Sequence, residues 1–316
     1  MNSYKLHIVH LNPSWIKYSM RIVASIFSFP HEIDELEILI NNLRNASYHL
    51  SNNTEIVLDI TVCLSNKITD WNKSSIPRQY FEDKILKLSA HIDWCPKYVK
   101  ASNTILGELS HRRNSLEEFT DADYFIWINP NIVFPEKTLF YLEQSINEAS
   151  KITNNHIVTP EMVKMWDTNW DILVNEKFKD KELMYPNTNN PFKDSNIYGE
   201  VEIEQVKNII PKHPKYKILG GLFTCISGNL IKKIGIPKSF GHHGFDDTFL
   251  MWSCEKLTEI TDMNIQQFKM KNLVVCENHK YRNNSHYLNN MSIYDRKKEF
   301  EKLAESNFMK ELEKIN

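Results

Sequence analysis

Glycine is scarce in this chain, eight residues of 316, and nowhere does it take the G-x-G-x-x-G or Walker spacing with which a backbone loop cradles phosphate. The five cysteines, Cys63, Cys95, Cys225, Cys254 and Cys276, include no C-x-x-C pair, which argues against a zinc knuckle or a disulfide framework and reads as buried thiols. Neither sign of charge dominates. Lys and Arg number 38 against 40 Asp and Glu, a net charge of −2, so no nucleic-acid partner is expected and any anionic ligand must be held locally. Long apolar runs are missing as well. The most apolar early stretch, RIVASIFSF, is too short for a bilayer, and no charged-then-apolar-then-small order opens the chain, so a soluble, cytoplasmic protein is expected. No internal repeat is visible.

What remains is 41% apolar, enough for the core of one large α/β domain or two small ones. Residues 4–11 and 21–29 read as strands, the latter ending at Pro30. Ile33, Leu36, Ile40, Leu43 and Leu50 then recur at helical spacing, and 55–65 is a further strand, so 21–65 reads as the strand-helix-strand unit of a parallel sheet. Residues 66–100 are polar and aperiodic, with a short helix expected near 81–90. A helix over 103–119 leads into the buried strand DYFIWI, and 135–150 is a helix opened by Pro135. HIVTPEM is another strand. Residues 166–217, rich in Asn, Lys, Asp and Pro, suit a long surface insertion. From 217 the pattern predicts a strand, a short helix, a glycine-bearing turn and a helix beginning at Asp246 or Asp247; a last strand, NLVVCENH, and a charged amphipathic helix over 293–315 follow.

Two doublets flank DYFIWI. Asp121-Ala122-Asp123 has the spacing of a metal-binding pair but precedes the strand, while Asn129-Pro130-Asn131 follows it. Open α/β sheets bind ligands at the carboxyl ends of their strands, so the Asn pair occupies the productive end and the two aspartates read as a solvated turn.

Four segments in this order, RIVASIFSFP with the helix and strand after it, RRNSLEEFTDADYFIWINPNIVFP, ILGGLFTCISGNLIKKIG and GHHGFDDTFLMWSCEKL, resemble the GT-A fold of nucleotide-sugar glycosyltransferases, most closely the family-2 inverting type. The resemblance implies an α/β Rossmann-like, mostly parallel sheet flanked by helices, with residues 1–292 as the nucleotide-sugar-binding catalytic domain, an acceptor-side insertion within it, and 293–316 as a C-terminal amphipathic helix. It implies a cleft in which Ser28, Pro30, Asn66, Asp70, Arg113, Asn129 and Asn131 meet the donor nucleotide and Gly221, His242 and His243 meet a saccharide or glycan-type acceptor, as in polysaccharide biosynthesis. Asp247 matches the general base, with Asp246 orienting the acceptor or serving as the base itself; the plain alternative is that both acids only cap a helix, worth about 1 kcal/mol. The family holds Mn²⁺ or Mg²⁺ with Asp-x-Asp and a later His, places taken here by Asn129, Asn131 and His279. Hard divalent ions prefer anionic oxygens, so Asn131 and His279 promise weak metal binding or none, and Arg113 or a protonated His279 could supply the missing positive charge. Three outcomes stay open: a metal-weak or metal-independent glycosyltransferase, a non-catalytic nucleotide-sugar-binding module, and a transferase or ligase doing other chemistry, such as amide formation, on a sugar nucleotide or saccharide. The final helix leaves self-association and peripheral membrane contact open, since its charged face is not basic enough to argue for anchoring alone.

Overall fold

The computed structural model describes residues 18–163, 197–206, 222–277 and 293–315. The expected strand at 4–11, Gly221, His279 and most of the 166–217 stretch lie outside them. Among the described residues the strands are β1 (Met20–Ser28), β2 (Thr54–Cys63), β3 (Lys97–Ser102), β4 (Tyr124–Ile128), β5 (Ile132–Val133), β6 (Asn155–Val163), β7 (Ile197–Val206), β8 (Phe223–Ser227) and β9 (Ile265–Glu277). The helices are α1 (Ile33–Ser47), α2 (Arg78–His91), α3 (Glu108–Glu118), α4 (Thr138–Ser150), α5 (Gly228–Ile234), α6 (Asp246–Ile260) and α7 (Ile293–Glu313). All nine strands join one sheet in the order β3-β2-β1-β4-β8-β6-β9-β5, with β7 added on β9. The β3-β2-β1-β4 half is parallel, β8 runs against both β4 and β6, and β6 and β9 are parallel again. This is the α/β architecture expected, a sheet with helices on both faces.

Strand alternation sorts the core into two layers. Ile22, Ala24 and Ile26 of β1, with Leu58, Ile60, Ile126 and Ile128, pack under α1, α2 and α4. Val23, Val57, Phe125 and Trp127 point the other way, under α3, α5, α6 and α7. Burial on both faces explains why β1, β2 and β4 read as unbroken apolar runs. α7 lies on α6 and the Lys238–Phe240 turn, its Phe308 stacked on Phe240 at 6.2 Å and edge-on to Phe249 at 5.8 Å.

Three segments differ from the sequence reading. Residues 66–100, expected to be irregular apart from a short helix, contain the full helix α2 and the edge strand β3. Lys97 hides that strand: its buried ammonium donates to the carbonyls of Ser89 and Ile92, so a charged residue occupies an inward position. Within the expected insertion, Ile197–Val206 is a strand paired with β9. Its Val201 and Ile203 pack on the core between outward glutamates, an alternation diluted by the polar text around it. β9 begins at Ile265, seven residues before the predicted strand. A register shift opposite Pro160 and Glu161, with Asn272 at φ 69°, flips the buried set from Phe268 and Met270 to Leu273 and Val275, and the phase change breaks the period-two pattern.

Candidate functional site

From β1 the chain steps outward through β2 to β3 with helices on one face, then returns across the other face through α3 and lays β4 on the opposite side of β1. The strand order therefore reverses between β1 and β4, and the carboxyl ends flanking such a reversal are where open α/β sheets form their crevice. Ser28 and Pro30, both buried, stand at the end of β1; the Ser28 hydroxyl donates to the Phe29 carbonyl at 3.0 Å, and the Phe29 amide is held by Glu32 at 2.8 Å. Asn129 and Asn131, half-buried, stand at the end of β4. The Asn129 amide extends the ladder to β8 by donating to the Leu222 carbonyl at 3.0 Å, so the Asn129 side chain shares the face of Trp127, the α3 and α6 face. Asn66 is exposed just past β2, and Asp70, a turn later, pairs with Lys73 at 3.4 Å. At the far end of β4, Asp123 accepts the Arg21 amide at 2.7 Å and exposed Asp121 pairs with the Arg21 side chain, as expected of a solvated turn.

The acid pair comes from the loop before α6, and α3 holds that loop. Gly107, just before α3, lies against the His242 carbonyl, which accepts the Leu109 amide at 3.0 Å. The Ser110 hydroxyl meets His242 Nδ1 at 2.5 Å, and Arg113 donates to the carbonyls of Pro237 and Gly241 at 3.0 and 2.6 Å. Arg113, expected at the nucleotide, thus holds two loop carbonyls. His243 lies between Glu108 of α3, at 2.9 Å, and Glu301 of α7, at 3.9 Å. Burial, with Arg113 and Lys67 nearby, pulls the His242 pKa below its ordinary value.

Asp246 and Asp247 open α6 in different surroundings. Asp246 is 7% exposed and ion-paired with Arg112, itself 4% exposed. The Arg112 guanidinium carbon lies 4.6 Å from the centroid of the Trp127 ring, so a chain of direct contacts runs from Asp246 through Arg112 to the strand that leads into Asn129. Asp247 is more open, and one of its oxygens accepts the Thr248 amide at 2.7 Å, a helix-start contact. The expected pair is therefore split into one buried, neutralised carboxylate and one half-buried. Arg112 escaped the sequence reading because Arg112 and Arg113 are adjacent in the text; 100° of helical rotation puts one inside and the other against the loop.

Among the described residues no three His, Cys, Asp or Glu side chains form a metal-binding group. The Asn129 and Asn131 carbonyl oxygens are neutral, a poor donor set for a hard divalent ion, but their amide N–H groups suit a diphosphate. A groove of about 250 Å³ lined by Ile33, Tyr80, Lys84 and Leu88 lies between α1 and α2, on the opposite face of the sheet from Arg112. No helix among the described residues is long and apolar enough to cross a membrane.

No protein-family model and no curated protein matches this sequence. Solved structures are similar to this chain at low identity. Residues 1–349 of TarS from S. aureus are similar at 12% identity and a TM-score of 0.48, over 82% of this chain and 60% of that one. The same protein in complex with UDP-GlcNAc is similar at 12% identity and a TM-score of 0.48, over 83% of this chain and 59% of that one. The mannosyltransferase PcManGT from Pyrobaculum calidifontis, in complex with GDP-Man and Mn²⁺, gives 12% identity and a TM-score of 0.48, over 84% of this chain and 59% of that one. This chain therefore spans about 60% of the length of the structures it resembles.

Proposed function

We propose that this protein is a glycosyltransferase that moves a sugar from a nucleotide-sugar donor to a glycan-type acceptor with inversion. The observation that supports the reading is the contact chain from Asp246 through Arg112 to Trp127, a residue of the strand that leads into Asn129 and Asn131. In this mechanism the acceptor hydroxyl oxygen attacks the anomeric carbon while Asp247 takes its proton. The bond from that carbon to the diphosphate oxygen breaks, and the diphosphate leaves with the electron pair. The amides of Asn129 and Asn131 donate to the departing oxygens, and Ser28, Pro30, Asn66 and Asp70 line the nucleotide end. Mn²⁺ or Mg²⁺ adds little with this donor set, and no step depends on one.

The test is a panel of uridine, guanosine and cytidine diphosphate sugars with saccharide acceptors, with and without chelator, read by product mass and linkage. Transfer that survives chelation supports the reading, and transfer that chelator abolishes removes the metal-weak mechanism. Asp247→Asn should abolish transfer and leave nucleotide binding intact; undiminished transfer eliminates Asp247 as base. The second reading, a nucleotide-sugar-binding module, is favoured by the two amides where carboxylates were expected, and binding of the same donors without product would establish it.

A further inference from the structure

Arg112 is the one cation on α3 that is buried, and Asp246 lies directly against it. Asp246 pairs with it directly, and Glu108 and Asp247 act on it through space, opposing the burial that pulls its pKa below the ordinary arginine value. Its guanidinium carbon lies over the ring of Trp127, which is 1% exposed and directly paired with Ser25 at the centre of the sheet. Phe245, the residue before the pair, adopts φ 66°, a left-handed conformation that a phenylalanine does not choose unaided. Something must hold the start of α6 in that turn. Phe245 meets Phe308 of α7 edge-on at 6.0 Å, which fixes its ring, whereas the Arg112 ion pair acts on the next residue, the first of the helix itself.

We propose that Arg112 is the positioning residue of the acid pair, holding Asp246 down on Trp127 so that Asp247 alone faces the cleft as base. Resting on the transferase reading, this divides the doublet: Asp246 is a tether and touches no substrate. The guanidinium suits the task because it can pair with a carboxylate in its plane while stacking on an indole with its face; an ammonium can do only the first.

Three variants of the full chain test the assignment: Arg112→Met, Arg112→Lys, and Arg112→Met combined with Asp246→Leu, which replaces the buried charges by an apolar pair and so protects the fold. Amide exchange over residues 241–250 reads the tether without any substrate. It should accelerate about tenfold or more in Arg112→Met and less in Arg112→Lys, as expected when a local opening loses its main restraint. Turnover with the donor that the wild type uses reads the role. It should fall about a hundredfold in Arg112→Met at unchanged donor KM, the scale of a misplacement near 1 Å, and Arg112→Lys should recover part of the loss. The double variant should regain thermal stability and stay slow. Unchanged exchange in Arg112→Met, or turnover that returns together with stability in the double variant, overturns the proposal. A wild type that transfers no sugar from any donor counts against the transferase reading instead, and the exchange data still judge the tether.

Discussion

Replacing Gly107 by alanine isolates the contact between α3 and the acid-bearing loop. Gly107 has φ −170°, extended backbone that any residue adopts, so the substitution carries no dihedral penalty. Its cost is steric. A Cβ at this position would overlap the His242 carbonyl oxygen and come within 2.9 Å of the carbonyl carbon, and backbone cannot rotate aside as a side chain does. The loop must retreat, and retreat lengthens the Leu109 amide bond to the same carbonyl, now 3.0 Å, and the Ser110 contact to His242, now 2.5 Å. Overpacking of this kind costs about 1–3 kcal/mol and each of the two weakened hydrogen bonds about 1 kcal/mol, so Gly107→Ala should destabilise by about 3–5 kcal/mol. Urea unfolding measures the loss, and exchange of the Leu109 amide locates it. Gly235→Ala is the matching control: Gly235 has φ 71° with nothing within 4 Å of an added Cβ, so its cost is dihedral alone, about 1–2 kcal/mol, with Leu109 exchange unchanged. A Gly107→Ala protein as stable as the wild type, with a fully protected Leu109 amide, would refute the claim that α3 seats the loop.

Phe308→Ala should cost about 2–4 kcal/mol by thermal or urea unfolding, because this half-buried ring touches Phe240, Phe249 and Trp252 and holds α7 on α6; a loss under 0.5 kcal/mol would show α7 to be an appendage. Burial holds the His111 and His156 pKa values below the ordinary 6.5, so the unfolded chain takes up protons that the fold refuses. Stability should therefore be level in these groups above pH 6.5 and fall below it. Urea melts at pH 7.5 and 5.5 should show a smaller acid loss in His156→Gln than in the wild type, and equal losses would exclude His156 as a contributor. Glu143→Leu should destabilise by about 2–4 kcal/mol, since buried Glu143 accepts from the Ser51 amide at 2.9 Å and from the hydroxyls of Ser51 and Thr54, donors left unpaired by leucine; circular dichroism melts would register it, and an unchanged midpoint would contradict it.

The elements that could be read from the text are those whose signal is local. The run 21–29 is buried on both faces, Ile33, Leu36, Ile40 and Leu43 repeat along one side of α1, and Asp246 does begin a helix. β3 was hidden because its buried lysine is satisfied by carbonyls from another element, and the first half of β9 because a bulge reverses its phase. Asn129 and Asn131 could be placed at a strand's carboxyl end from strand direction alone. What surrounds Arg113, His242 and His243 could not be read, because their partners lie more than a hundred residues away or on α7.

Composition and periodicity by themselves determined an α/β sheet protein with a neutral amide doublet at one strand end and two acids at one helix start, since both patterns are written within a dozen residues. Only the tertiary structure decided that the acids differ, one buried beneath Arg112 and the other left half-buried. That contact closes a separation of 134 residues, and no local preference encodes which of two neighbouring arginines the packed sheet will turn inward.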